Sequence, residues 1–326
     1  MPLGKLLPIV CALSLSGLAC KRNSQRLLPE GPTSGASARP RVPPPAPNLP
    51  EPTLLVSLPI SAYSASLGLE GDVVFLLTPK GVFRLVAGQP SQALQLDLGN
   101  GPVLAESGIV YWSKGAIWNV SKESRTVRRV ADLPHQPEYF VASDAGLAWL
   151  DAQNGTFSIQ SLEGQKPRVL VSEKSEISAV HMIHEQVFFV HRVGNFSWQL
   201  GRVHLTGGDL RYTDPVTGTT PSMLAGTESV IFYDMGASAI RQFSPDLKSE
   251  QTWRKDFVCS PIAEAKNLFC SRVEGLFEIF AENYEPKVLL HGQHQPITYL
   301  KANAKQVAWI AEAGAEQLSV YTLPVE

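Results

Sequence analysis

Motifs that carry chemistry are what this 326-residue sequence has least of. There is no G-x-S-x-G elbow to present a serine nucleophile and no glycine-rich loop to cradle phosphate. No pair of carboxylates recurs at a defined spacing. H-x-x-x-H and C-x-x-C are both absent, which removes the compact zinc signatures. Long hydrophobic runs are missing too: the apolar stretch over residues 6–18 is too short to span a bilayer. Positive charge is scarce in the main body, where residues 54–326 carry 22 basic and 28 acidic side chains. That sign excludes nucleic acid as a partner, because phosphate attraction needs a basic surface. Cysteine is rare as well, with four in the whole chain.

What the chain does have is a repeat. Gly146-Leu147-Ala148-Trp149-Leu150-Asp151 has relatives whose aromatic position falls at Phe75, Tyr111, Trp149, Phe189, Phe232, Cys270 and Trp309, in steps of 36, 38, 40, 43, 38 and 39 residues. A period near 40 with β-branched and aromatic content predicts four-stranded blades arranged in a ring. Turns are expected at Gly81, Gly115, Gly155, Gly194, Gly236, Gly275 and Gly314, where positive φ favours glycine. Outer strands such as Val127-Arg128-Arg129-Val130 and Pro286-Lys287-Val288-Leu289-Leu290 tend to alternate apolar with polar. Inner strands such as Glu138-Tyr139-Phe140-Val141 lead into the next copy. After Trp309 there is room for one more strand, so the last blade is one strand short. The spare segment Thr53-Leu54-Leu55-Val56-Ser57-Leu58 is expected to complete it and leave no open edge. The fold predicted is all-β, a seven-bladed β-propeller over residues 54–326. Six or eight blades fit less well, six because a copy would have to be discarded, and the 43-residue step marks the place for an insertion.

The start of the chain reads as an address. Residues 1–19 have Lys5 followed by the apolar run of an export signal. They end Ser16-Gly17-Leu18-Ala19 before Cys20, which resembles a bacterial lipobox, although leucine stands one place late. The resemblance implies diacylation of Cys20, and two acyl chains anchor stably in a lipid bilayer where one does not. By the same likeness, Lys21 in place of an aspartate implies sorting to the outer membrane of the cell envelope. Residues 20–53 are expected to stay unfolded, with nine prolines among the 27 residues 27–53. Such a spacer reaches about 3.1 Å per residue. Its Lys21, Arg22, Arg26, Arg39 and Arg41 suit anionic lipid, although proline-rich linkers also carry stray arginines. With Cys11 in the signal and Cys20 acylated, Cys259 and Cys270 remain. The export signal implies an oxidising compartment. Placed on the first two strands of blade six, the pair is expected to form a disulfide, the alternatives being two buried thiols or a metal pair.

Candidate ligand residues are few. His135 and Tyr139 sit where one inner strand begins, and His294 and Tyr299 where another does. They are weak pocket candidates beside the plainer reading of surface-loop residues. His181 and His184 lie three apart, so in a strand they face opposite ways. Two positions after the aromatic the residues vary (Leu77, Ser113, Asp151, His191, Asp234, Arg272 and Ala311), as on a binding face or an unconstrained surface.

At Val110-Tyr111-Trp112-Ser113-Lys114-Gly115-Ala116-Ile117-Trp118, followed by Arg128-Arg129-Val130, the chain resembles a YWTD-type blade. That family is known from low-density-lipoprotein receptors and bacterial extracytoplasmic proteins. Lys114 stands where its aspartate would be, and its propellers have six blades, so the resemblance implies blade shape and transfers no site residue. No catalytic residue, metal ligand or cofactor is assigned. The function expected is an anchored binding or scaffold propeller whose partner is an envelope protein or surface glycan. The alternative is a propeller enzyme, lactonase- or quinoprotein-like, with its site in the central channel.

Overall fold

Each aromatic-bearing apolar run becomes a strand buried on both faces, and everything else is arranged around those seven strands. In the computed structural model the described residues are 51–326, apart from 97–99, 106, 125, 164, 222, 256–258, 273–274, 280–285, 292–294, 315 and 326. The expected signal, Cys20 and nearly all of the tether lie outside them, as does His294. The described residues are almost wholly β, with one 3-10 turn at Ala62–Ser64.

The chain enters through β1 (Thr53–Leu58), then builds blade 1 from β2 (Ser66–Glu70), β3 (Val73–Thr78), β4 (Gly81–Leu85) and β5 (Gln92–Leu96). Blade 2 is β6 (Asn100–Ala105), β7 (Gly108–Ser113), β8 (Ala116–Val120) and β9 (Val127–Asp132). Blade 3 is β10 (Tyr139–Ala142), β11 (Leu147–Gln153), β12 (Thr156–Glu163) and β13 (Lys166–Glu173). Blade 4 comprises β14 (Ile177–Ile183), β15 (Gln186–Gly194) and β16 (Ser197–His204), with two short outer pieces, β17 (Arg211–Tyr212) and β18 (Val216–Thr217). Blade 5 has β19 (Val230–Asp234), β20 (Ala239–Phe243) and β21 (Glu250–Lys255). Blade 6 follows with β22 (Ile262–Glu264), β23 (Leu268–Arg272), β24 (Gly275–Ile279) and β25 (Pro286–His291). Blade 7 has β26 (Ile297–Ala302), β27 (Gln306–Gly314) and β28 (Gln317–Pro324), and β1 pairs antiparallel with β28 to supply its outer strand. The molecule is a seven-bladed β-propeller closed by its N-terminal strand.

Seven apolar clusters fill the seven spaces between neighbouring blades. The period of two along a strand explains why. On β15, Val187 and Phe189 enter the cluster shared with blade 3, while Phe188 and Val190 enter the one shared with blade 5. A strand walled on both faces needs no polar alternation, which is why these segments read as continuous apolar runs. The phase of blade 1 corrects the repeat alignment. Six of the aligned positions face the preceding blade: Tyr111, Trp149, Phe189, Phe232, Cys270 and Trp309. Phe75 faces the following one, beside Tyr111. Its copy is therefore one residue out of register, and one residue reverses a side chain's face.

Two further expectations change. Lys114-Gly115 (φ 50° and 75°) and Asn154-Gly155 (φ 51° and 72°) form left-handed hairpin turns as expected, but Gly81, Gly194 and Gly236 do not adopt positive φ. Blade 5 lacks a regular inner strand. Its place is taken by a segment touching β19 through the Ala225–Ile231 bridge, with both N–H···O bonds at 2.8 Å. Pro221 has no amide hydrogen to donate, and Gly218 and Gly226 hold φ of 146° and 122°, so this stretch does not run on as a strand. The long step in the repeat is thus an irregular connection and a split outer strand.

Candidate functional site

The inner strands of the blades, with the segment over residues 223–227 in blade 5, surround an axial channel of about 790 Å³. Its walls mix apolar side chains, the half-buried Leu69, Val103, Leu104 and Val141 among them, with polar ones. Most of the polar side chains are already engaged. The Ser66 hydroxyl donates to Pro102 O (3.4 Å) and that of Ser178 to Pro221 O (3.0 Å). Asn303 donates to Gly71 O (2.9 Å).

Glu264, at the end of β22, accepts from the Thr227 amide (2.6 Å), the Thr227 hydroxyl (3.3 Å) and Ser229 (3.5 Å). Burial raises its pKa, and those hydrogen bonds partly offset the rise. The carboxylate fastens the irregular segment of blade 5 to blade 6.

His181, on β14, makes a 2.7 Å contact from Nε2 to Gly226 O. A carbonyl only accepts, so Nε2 carries the proton and Nδ1 keeps its lone pair. Burial lowers the His181 pKa to about 4. The Gly226 hydrogen bond opposes the shift, and the nearby Lys301 charge adds to it. At neutral pH the imidazole is uncharged. Tyr299 and Lys301, two residues apart on β26, also line the channel. Neither has a hydrogen-bond or salt-bridge partner among the described residues.

A second, shallower depression of about 360 Å³ lies by blade 5, lined by Thr217, Asp234, Arg241 and Glu250 among others. Asp234 is buried, accepts from the Ala237 amide (3.1 Å) and pairs with Arg241 Nη1 at 2.9 Å. Arg241 Nε also donates to Glu250 (2.6 Å). These charges satisfy one another. At blades 3 and 4, Tyr212 donates to Glu173 (3.0 Å), and His191 stands 3.9 Å from the same carboxylate. Burial, then the Glu173 hydrogen bond and charge, raise the Tyr212 pKa. Among the described residues no three His, Cys, Asp or Glu side chains converge as a metal set.

The sequence candidates fall in different places. His135 is exposed in the connection before β10, and Tyr139 is the first residue of β10, paired with Leu150. Tyr299 lines the channel. Cys259 and Cys270 are joined as a disulfide with Cα atoms 5.5 Å apart. Cys259 lies just before β22 rather than on it: Ile262 is the partner of Cys270, and Ser260 and Pro261 bond to Ser271 on the way back (both 3.1 Å). The bridge is buried in the cluster between blades 5 and 6. The variable positions after the aromatic are partly absorbed within their own blades: Asp151 accepts from Gln153 and Gln160 (both 3.0 Å), and Arg272 stacks over Phe277 at 5.7 Å. His181 and Lys301 went unnoticed as channel residues, since only their places on two distant inner strands connect them.

Several of the exposed apolar side chains fall on one face of the ring. In an antiparallel blade the turn between the second and third strands lies on the side where the inner strand begins. That side carries Val193 and Phe196 of blade 4 and Met235 of blade 5, with Met223 and Tyr63 where inner segments start. Phe196 and Met235 are 78% and 65% exposed. Their turns are linked through the 218–219 backbone, where the Gly218 amide donates to Phe196 O (2.9 Å) and Gly236 sits against Gly218 and Thr219.

No protein-family model matches the chain, and no curated protein matches it. Many solved structures do. The Cps50 (Swd1) β-propeller domain of Myceliophteria thermophila is similar at TM-score 0.60 and 10% identity, over 84% of this chain and all of that domain (100%). A chain of the mitotic checkpoint complex is similar at 0.59 and 12%, over 87% and 99% of the two chains. The extracellular domain of the one-component system BT4673 from B. thetaiotaomicron reaches 0.55 and 10%, over 82% of this chain and 39% of that one. At such identities the likeness concerns the fold alone.

Proposed function

We propose that the chain is a lipid-anchored, extracytoplasmic scaffold that docks a protein of the cell envelope on the face where its inner strands begin. The observation that carries this is the placement of exposed apolar side chains. Among the described residues, five of the nine large ones (Tyr63, Val193, Phe196, Met223 and Met235) stand on that face, and the two most exposed are among them. Exposed apolar side chains gathered on the neighbouring turns of blades 4 and 5 are the kind of surface that marks an interaction site. Valine, phenylalanine and methionine offer little to a sugar's hydroxyls, so the reading favours a protein over a surface glycan. Acylation of Cys20 and the proline-rich spacer would tether the ring to a bilayer.

The test is site-specific photo-crosslinking in the native envelope. A photoreactive residue at Phe196 is expected to capture a discrete protein, whereas one at Leu210, on the far side of blade 4, captures none. Capture from Leu210 but not Phe196, or from neither, would sink the docking face. Replacing Cys20 with serine should move the chain out of the membrane fraction and tests the anchor separately.

A further inference from the structure

The axial channel holds something the scaffold reading does not use. We propose that it is a binding site for a small monocarboxylate with an apolar body, whose carboxylate is held by the Lys301 ammonium and the Tyr299 hydroxyl.

The size fits a small ligand. A volume of about 790 Å³ lies within the range of roughly 300–1,000 Å³ that small-molecule sites occupy. The walls offer room for an apolar body: the half-buried Leu69, Val103, Leu104 and Val141, on β2, β6 and β10, line the channel. The polar lining then decides the head group. Ser66, Ser178 and Asn303 donate to backbone carbonyls, Glu264 is held by Thr227 and Ser229, and Tyr63 donates to Glu312 at 3.1 Å. All of these are occupied within the protein.

Tyr299 and Lys301 are different. Alternation along β26 puts them on the same side of the strand, while Leu300 turns the other way into the cluster between blades 6 and 7. Among the described residues no carboxylate pairs with Lys301, and no group bonds the Tyr299 hydroxyl. His181, which the Lys301 charge reaches, is neutral at neutral pH and adds no second positive charge. A cation with no counter-ion, in a partly desolvated apolar channel, selects an anion over a neutral or cationic ligand. The Tyr299 hydroxyl, on the same side of β26, offers a second donor. Lys301 is the one cation among the described residues that line the channel, and Glu264 is held by Thr227 and Ser229, so the site matches one carboxylate.

The probes are octanoate, octanol and octylammonium, titrated by calorimetry into the full chain carrying Cys20→Ala, so that no acyl chain of its own competes. Octanoate is expected to bind at least about tenfold more tightly than octanol, with octylammonium weakest, as charged hydrogen bonds are worth roughly that factor or more. Lys301→Met should remove the preference for octanoate over octanol and leave octanol binding in place. Lys301→Arg should restore much of it, and Tyr299→Phe should reduce it severalfold. Melting curves of each variant confirm that the ring is intact. If octanoate binds no better than octanol, or if Lys301→Met leaves their ratio unchanged, the proposal is wrong. Tyr63 and Met223 line the channel as well as the docking face, but Phe196, the position that tests that face, does not, so that result leaves the docking face untouched.

Discussion

Gly201 offers the sharpest test of how the blades interlock. It lies on β16 directly opposite Phe189, the aromatic of its blade, and Phe189 is fully buried. A methyl group added at Gly201 would stand 2.3–2.7 Å from three atoms of that ring, closer than carbon atoms approach. The ring has no easy retreat, because Tyr212 packs edge-on against it with centroids 5.7 Å apart. Gly201→Ala is therefore an overpacking change, which typically costs about 1–3 kcal/mol. At about 2 °C per kcal/mol for a domain of this size, the melting temperature should fall by about 2–6 °C. The cause can be isolated by a double-mutant cycle. Phe189→Leu destabilises by itself, but in that background Gly201→Ala should cost less by about 0.5–3 kcal/mol, since the clashing atoms are gone. Chemical denaturation of the four proteins measures the cycle. A neutral Gly201→Ala, or an equal cost in both backgrounds, would refute the reasoning and mean that the strand shifts to absorb the methyl.

Other outcomes follow from the same structure. Replacing Cys259 and Cys270 with serine opens a short loop, with a sequence separation of 11, and should cost about 2–3 kcal/mol, seen as a lower denaturation midpoint that reductant reproduces in the parent chain. Arg241→Leu strands the buried Asp234 carboxylate and should cost about 3–5 kcal/mol, whereas adding Asp234→Leu should recover much of the loss. His181 has a folded pKa of about 4, below its unfolded value near 6.5. Between these pH values the unfolded chain binds the extra proton, so the contribution is whole above about 6.5 and is lost as pH falls towards 4. His181→Asn should flatten that part of the stability profile in denaturation series from pH 7 to 4, and an unchanged slope would contradict the burial of the imidazole.

Much of this molecule was legible in the one-dimensional pattern, for a physical reason. A strand packed on both faces must be apolar at every position, and a ring of such strands repeats at the length of one blade, so Val187-Phe188-Phe189-Val190 and its relatives announce both the element and the count. The short last blade and the spare Thr53–Leu58 segment likewise implied closure, because an unpaired edge is costly to leave open. The Cys259–Cys270 bridge was readable from a separation that a hairpin can close. Beyond this, local sequence has no voice. The phase of Phe75 depends on which neighbouring blade its strand faces, and a single residue decides it. Pro221 and Gly226 make an expected inner strand irregular, but that the segment is held by Glu264 of blade 6 is a matter of tertiary structure. The channel is the clearest case. Lys301 and Tyr299 are ordinary residues of a short strand, and His181 is about 120 positions away. They share one space because the ring closes, so sequence alone determined the blades and their number, while tertiary structure decided what meets at the axis.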